Sequence, residues 1–488
     1  MNPAPLARAL KRPDLLRSSG FIDGTWVAEA EGGRRFDVVD PARDAVIATL
    51  PDMGAAEAAR AIAAAEASRH DWAALAAKDR ARVLRRWFDL MTANADDLAI
   101  ILSSEMGKPL PEARGEIAYA ASYIEWFAEE AKRVYGSTIP GHQHDKRITV
   151  IRQPVGVVGT ITPWNFPSAM IARKVAPALA VGCAVVSKPS ELTPLSALAM
   201  AALAEEAGLP AGLFNVVVGT SGAEIGGEMT SNPAVRKISF TGSTQVGRLL
   251  LRQGADQIKK MSMELGGNAP FIVFDDADID AAVDGAIAAK FRNAGQTCVC
   301  ANRIFVQAGV HDAFTRKLAE RVRSLRIGDP FAEGTDIGPL VNRAAVDKVR
   351  RHIDDATGKG ARILAGGEVS GLFVQPVLID GATTDMAVSR EETFGPLAAI
   401  FTFGTEDEVV ALANASEYGL AAYFYAKDVA RVTRVAERLE AGMVGINTGL
   451  ISTEAAPFGG VKQSGLGREG SSYGIDDYVE LKYLCLGL

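Results

Sequence analysis

From residue 155 onward, unbroken apolar runs alternate with stretches whose apolar residues recur at helical spacing. Strands are expected at 155–162, 184–187, 214–218 and 237–240, with helices at 167–181, 194–207, 222–229 and 245–251. A strand that is apolar on both faces is covered on both, so this alternation predicts a doubly wound parallel sheet. Ligands of such sheets lie beyond the carboxyl ends of the strands. The segments 162–166, 188–191, 219–222 and 240–243 should therefore share one crevice. The alternation resumes less regularly, with strands at 271–274, 303–306 and 398–403 and helices at 278–290, 312–325, 343–357 and 406–413. Gly266-Gly267 marks the expected domain boundary.

The first 134 residues read differently. Short strands at 21–27 and 36–50 precede helices at 55–67, 79–105 and 112–134, the last with an aromatic surface of Tyr119, Tyr123, Trp126 and Phe127. The segments 147–152 and 478–484 alternate with a period of two, the habit of a half-exposed strand. Exposed strand edges invite pairing. A shared arm would cover them, which predicts a homodimer or homotetramer.

At 488 residues the chain is too long for one core, and two or three domains are expected. Its 48% hydrophobic and 23% charged residues are those of a globular protein. A formal net charge of -7 argues against nucleic acid as a partner. No apolar run is long enough to span a membrane, and residues 1–20 lack the apolar centre of a secretory signal. Four scattered cysteines do not make a disulfide framework, so a reducing, cytoplasmic compartment is expected. No metal site is expected, because Cys298 and Cys300 lack a second pair and the five histidines lie elsewhere.

Chemistry narrows the reading. Cys298 follows the glycine turn Gly295-Gln296-Thr297, on a loop after an apolar helix, where functional groups are often placed. The alternative is a buried, inert thiol. Asn165 stands among Trp164, Phe166 and Pro167, where its amide could stabilise an oxyanion or cap the next helix. Glu264 enters the turn at Gly266-Gly267 from an apolar segment, and such surroundings raise a carboxyl pKa toward that of a general base. Phe240-Thr241-Gly242-Ser243 joins a strand to a helix N-terminus that suits a pyrophosphate. Lys188 and Glu191, with Ser190 between, could hold a ribose or merely cap a helix. The only G-x-G-x-x-G run, Gly465 to Gly470, follows no apolar strand and is rejected as a phosphate loop. A nucleotide crevice, a thiol, an amide and a carboxylate together suit oxidation of an aldehyde through a thioester.

That set resembles the aldehyde dehydrogenase superfamily over nearly the whole chain from about Phe21. The segments that carry it are Thr162-Pro163-Trp164-Asn165-Phe166-Pro167, Lys188-Pro189-Ser190-Glu191, Phe240-Thr241-Gly242-Ser243, Met263-Glu264-Leu265-Gly266-Gly267, Gly295-Gln296-Thr297-Cys298, Glu391-Glu392-Thr393-Phe394-Gly395-Pro396 and Pro457-Phe458-Gly459-Gly460. The resemblance implies that fold, an α/β cofactor domain with a doubly wound parallel sheet, an α/β catalytic domain and a small β oligomerisation arm. The divisions expected are 1–134 with 153–265, 266–460, and 135–152 with 471–488. It implies Cys298 as nucleophile, Glu264 as base, and Asn165 with the Cys298 N–H as oxyanion hole. NAD or NADP would be held by Thr162, Pro163, Trp164, Lys188, Ser190, Glu191, Gly222, Phe240, Thr241, Gly242, Ser243, Leu265, Glu392 and Phe394. Glu191 would repel a 2′-phosphate, which favours NAD.

Within the superfamily the likeness is greatest to the succinate-semialdehyde branch, through residues 166–174, 291–300 and 449–452. It implies that Arg173, Arg292 and Ser452 clamp the distal carboxylate of a small ω-carboxylated aldehyde. Guanidinium pairing with a carboxylate is strong and directional. Arg292 could instead form a surface ion pair. Cys300 could close a redox-switch disulfide with Cys298 or simply pack. Glutarate semialdehyde, one methylene longer, is an alternative substrate, and a non-catalytic binding role on the same fold is the alternative function.

Overall fold

The computed structural model describes residues 4–488. An eight-stranded sheet runs in the order Thr25–Val27, Gly20–Ile22, Phe214–Val216, Ala184–Lys188, Val157–Ile161, Val235–Thr241, Lys260–Glu264, Gly465–Leu466. The five strands between Gly20–Ile22 and Gly465–Leu466 are parallel, and the outer ones join antiparallel. A seven-stranded sheet has Ala269–Val273 and Ala301–Gln307 at its centre, flanked by Leu397–Phe403 and Ala421–Tyr425. Each sheet has its own apolar core, one drawn from residues 10–265 with Ile475, Tyr478 and Val479, the other from residues 269–458.

Local chemistry sets the element ends. The helix Pro167–Val181 opens on a proline, where the missing N–H costs nothing, and stops at Gly182, whose φ is 105°. Where single long elements were expected, the chain breaks. Asp23-Gly24, both at positive φ, fold 21–27 into the hairpin Gly20–Ile22 and Thr25–Val27. A second hairpin, Arg35–Asp40 with Ala45–Pro51, replaces the strand expected at 36–50. The helix expected at 79–105 parts at Asn94 into Ala77–Ala93 and Ala95–Met106.

The strand Lys260–Glu264 escaped the hydrophobic pattern because Lys260, Ser262 and Glu264 share one face. That face is polar yet covered, since Ser262 meets Lys237 and Asp477. Val377–Asp380, Ala421–Tyr425 and Met443–Ile446 were also not anticipated as strands.

The two alternating segments pair with each other. Lys146–Pro154 runs antiparallel to Val479–Gly487 over nine residues, and Ser137–Ile139 completes a three-stranded sheet. Val479–Gly487 forms one edge, with Leu481, Tyr483 and Leu486 exposed. Among the described residues no helix is long and apolar enough to cross a membrane.

Candidate active site

The thiol-bearing turn is held in an unusual backbone conformation. Asn293, Ala294 and Gly295 follow one another at φ 54°, 54° and 73°. Two consecutive non-glycine residues in the left-handed region cost about 1–2 kcal/mol each, so the surroundings must impose the turn. The Asn293 N–H donates to Glu112 at 2.9 Å, and its amide donates to the Asn165 carbonyl at 3.0 Å. Gln296 donates to the Asn293 carbonyl and accepts the Val341 N–H. A side chain at Gly295 would strike the Gly395 carbonyl, and one at Gly267 the Cys298 carbonyl, at 2.2 and 2.5 Å.

Cys298 emerges half-buried on the wall of a cavity of about 360 Å³ that Asn165 and Glu264 also line. Burial pushes its thiol up to about 12, and Arg173 is the foremost positive charge opposing that shift. The Asn165 amide donates to the Gln296 carbonyl at 3.0 Å. An amide nitrogen has two hydrogens, so one is left for a developing oxyanion. The helix after it is capped otherwise: its first-turn Ser168 and Ala169 N–H groups donate to buried Glu116 at 2.9 and 3.3 Å. Lys108 pairs with Glu116 and donates to the Asn165 carbonyl at 3.0 Å.

Glu264 is buried, and among the described residues neither carboxylate oxygen has a hydrogen-bond partner. Burial, then the nearby Glu469 charge, raises its pKa well above the usual carboxylate range. Glu469 binds the Arg173 guanidinium at 2.6 Å and Lys174, whose ammonium also donates to Thr241 at 2.6 Å. Glu469 lies within the rejected glycine run, whose Gly465–Leu466 forms an edge strand against Met263 and Glu264.

The cavity is also lined by Pro163, Trp164, Thr241, Gly242, Ser243, Leu265, Glu392 and Phe394. The Trp164 and Phe394 rings meet edge to face at 5.5 Å. Glu392 accepts the Gly267 N–H at 3.1 Å, and burial raises it to about 7. Helix N-termini attract anions, but two here already hold carboxylates. Glu116 takes Pro167–Val181, and Glu105 takes Pro194–Glu206 through the Leu195 and Ser196 N–H groups at 2.7 and 2.8 Å. The helix Thr244–Ala255 has only the Ser243 hydroxyl, which accepts the Val246 N–H at 3.3 Å. A dinucleotide pyrophosphate fits that end, because no internal carboxylate competes for it.

Thr162, Lys188, Ser190, Glu191, Gly222 and Phe240 lie outside that lining. Thr162 and Lys188 stand at the carboxyl ends of neighbouring strands, where the Thr162 N–H meets the Lys188 carbonyl. Lys188 and Glu191 form an ion pair at 3.2 Å. The helix-cap alternative fails for Glu191, since Glu105 fills that place; Ser190 accepts only the Leu192 N–H. Gly222 opens the helix Gly222–Ser231 in free space, and the Phe240 ring packs beneath Gly242.

Arg173, Arg292 and Ser452 also lie outside that lining. Arg173 is buried, its guanidinium 3.9 Å from the Phe458 ring centre and 5.4 Å from that of Tyr123, and its Nη2 has no partner among the described residues. Arg292 lies over the Phe166 ring at 5.5 Å. Among the described residues it has no ion pair, so the surface-pair alternative is not what is found. Ser452 is half-buried on a loop whose Thr453 carbonyl accepts the Tyr123 hydroxyl at 3.3 Å. Cys300 is a free thiol, buried, its sulfur 3.5 Å from the Lys290 carbonyl.

The profile of the Aldehyde dehydrogenase family matches residues 26–484. The chain belongs to the aldehyde dehydrogenase family. It is 60% identical to the glutarate-semialdehyde dehydrogenase of Pseudomonas aeruginosa, covering 98% of this chain and 99% of the relative. It is 59% identical to an Escherichia coli succinate-semialdehyde dehydrogenase named for NADP(+), covering 98% and 100%. The crystal structure of succinate-semialdehyde dehydrogenase from Burkholderia pseudomallei superposes with a TM-score of 0.97 at 61% identity, covering 98% and 100%. The fold is thus that of an aldehyde dehydrogenase, and the chain is an NAD(P)-dependent enzyme of that family.

Proposed function

We propose that the enzyme oxidises a small aldehyde bearing a distal carboxylate, succinate semialdehyde first and glutarate semialdehyde as the longer alternative, with NAD preferred. The observation that carries this is the buried Nη2 of Arg173, which has no partner among the described residues and whose charge acts on Cys298, together with Arg292, six residues before that cysteine and without an ion pair among the described residues. A buried guanidinium hydrogen without an acceptor is costly, and a substrate carboxylate removes that cost. Ser452 adds a hydroxyl to the clamp. The names carried by the relatives agree with this class of substrate.

In the proposed mechanism the Cys298 thiol gives its proton to water, helped by the positive field of Arg173, and the thiolate sulfur adds to the aldehyde carbon. The Asn165 amide and the Cys298 N–H hold the resulting oxyanion. A nicotinamide dinucleotide, when bound, supplies the acceptor for the hydride that turns the thiohemiacetal into a thioester. Ser243 with its helix end would hold the pyrophosphate, Lys188 and Glu191 the adenosine ribose, and Glu392 and Phe394 the nicotinamide side. Glu264, its oxygens uncommitted, then takes a proton from water as the water adds to the thioester. The carbon–sulfur bond breaks, the acid leaves, and the Cys298 thiolate takes the proton back from Glu264.

The Glu191 carboxylate would oppose a 2′-phosphate, although the E. coli relative is named for NADP(+). We assign residues 1–134 and 153–265 to the cofactor domain, 266–460 to the catalytic domain, and 135–152 with 471–488 to an oligomerisation arm. Comparing kcat/KM for succinate semialdehyde, glutarate semialdehyde and butanal, with NAD and with NADP, tests the reading. Butanal should fall roughly tenfold to a hundredfold below the better semialdehyde, the cost of leaving a buried guanidinium N–H without an acceptor. Equal rates on butanal would contradict the clamp.

A further inference from the structure

The helix Leu110–Glu130 turns a face bearing Tyr119 and Tyr123 toward Arg173. On that face Tyr123 is fully buried and touches two things at once. Its ring flanks the Arg173 guanidinium, 5.4 Å from the ring centre, opposite Phe458. Its hydroxyl meets the Thr453 carbonyl at 3.3 Å, next to Ser452, and the Tyr119 hydroxyl at 3.0 Å. A carbonyl only accepts, so the Tyr123 O–H donates to Thr453 and Tyr119 donates to Tyr123. The adjacent Ser122 hydroxyl lies 3.1 Å from a Glu454 carboxylate oxygen on the same loop and 2.9 Å from the Tyr119 carbonyl of its own helix.

We propose that Tyr123 is a positioning residue for substrate specificity, fixing the Ser452 loop against Arg173 so that the two close on one distal carboxylate. The inference rests on the clamp reading above and extends it to a residue that does not touch the substrate. Three facts converge on it. Arg173 keeps an uncommitted N–H, so its aim rather than its charge is what must be fixed. The rings on either side restrict the guanidinium plane. The loop bearing Ser452 has side-chain ties to the helix only through Tyr123 and Ser122 among the described residues. Bidentate recognition of a carboxylate depends on orientation, so a loosened loop should weaken binding of the carboxylate and leave the chemistry at Cys298 intact.

The test is Tyr123→Phe, which removes one oxygen and preserves the ring. The KM for succinate semialdehyde should rise roughly threefold to tenfold, the span of one hydrogen bond. Its kcat, and kcat/KM for butanal, should stay within about twofold, since neither depends on the carboxylate. Ser122→Ala should act in the same direction and more weakly. Arg292→Ala, measured alongside, separates two failures. If it erases the preference for semialdehyde over butanal while Tyr123→Phe leaves that preference untouched, Tyr123 is not the positioning residue. If Arg292→Ala also leaves the preference intact, the clamp itself is wrong and this inference falls with it. Equal losses on both aldehydes in Tyr123→Phe would mean a general structural role and would overturn the proposal.

Discussion

Two kinds of buried carboxylate lie within this fold, and they are treated in opposite ways. Glu105 and Glu116 each accept two backbone N–H groups from the first turn of a helix, and Glu116 also binds Lys108. Among the described residues Glu264 accepts no hydrogen bond, and the carboxylate whose charge most raises it, Glu469, has already bound Arg173 and Lys174. A buried charge is tolerable when its oxygens are saturated and costly when they are bare. The saturated pair act as struts: Glu105 holds the helix beginning at Pro194, and Glu116 holds the helix beginning at Pro167 and, through Lys108, Asn165. The bare one retains the capacity to exchange a proton. A bare buried carboxyl lowers stability, so its presence beside Cys298 suits a chemical use.

Substituting each carboxylate sharpens the contrast. Glu264→Gln should lower kcat by about 10² to 10⁴, the range for a general base, with thermal stability unchanged or slightly raised. Steady-state kinetics and a melting curve on the same sample check both halves. Glu116→Gln should do the reverse, destabilising by about 3–5 kcal/mol because Lys108 is left as an unpaired buried charge. Chemical denaturation would read it, and any activity lost should follow the unfolded fraction. Glu105→Gln keeps an acceptor for the helix end and has no cation to strand, so about 1–3 kcal/mol is expected. A larger activity loss in folded Glu105→Gln than in Glu264→Gln would break the comparison.

Titration distinguishes them more gently. Burial raises Glu105 to about 8, even though the Ser196 and Leu195 N–H groups pull it down. A carboxyl raised on folding adds stability that is complete below its unfolded pKa and is lost as pH rises through the folded value. Melting temperature should therefore decline from about pH 5 to about pH 9, and Glu105→Gln should flatten part of that decline. For turnover the sign is opposite. Glu264 must lose its proton to act as base and Cys298 its own to attack, and both are raised. Activity should climb toward alkaline pH; a flat profile would contradict the assignment.

Much of the site was legible because its residue types sit at the carboxyl ends of recognisable strands. Thr162, Lys188 and Thr241 end or follow parallel strands, so their clustering follows from the alternation of apolar runs. Glu264 was legible as a candidate, but its strand was not, because Lys260, Ser262 and Glu264 read as a solvated face. The supporting charges were missed for the same reason. Glu105, Lys108, Glu112 and Glu116 resemble the polar positions of amphipathic helices, and only packing against residues 165, 195 and 293 buries them. Lys174 was part of a recognised segment without a role of its own, and Glu469 sat in a glycine run set aside as a failed phosphate loop. Nothing in local spacing announces a partner 295 residues away.

The most direct test of the central claim, that Cys298 forms the bond and Glu264 releases it, is a rapid-mixing experiment on Glu264→Gln with succinate semialdehyde and NAD. The account predicts a burst of reduced cofactor stoichiometric with subunits, followed by near arrest. The stalled protein should carry a succinyl thioester on Cys298, identifiable by mass. Continued turnover at the unaltered rate, or a burst with no acyl group on Cys298, would contradict it.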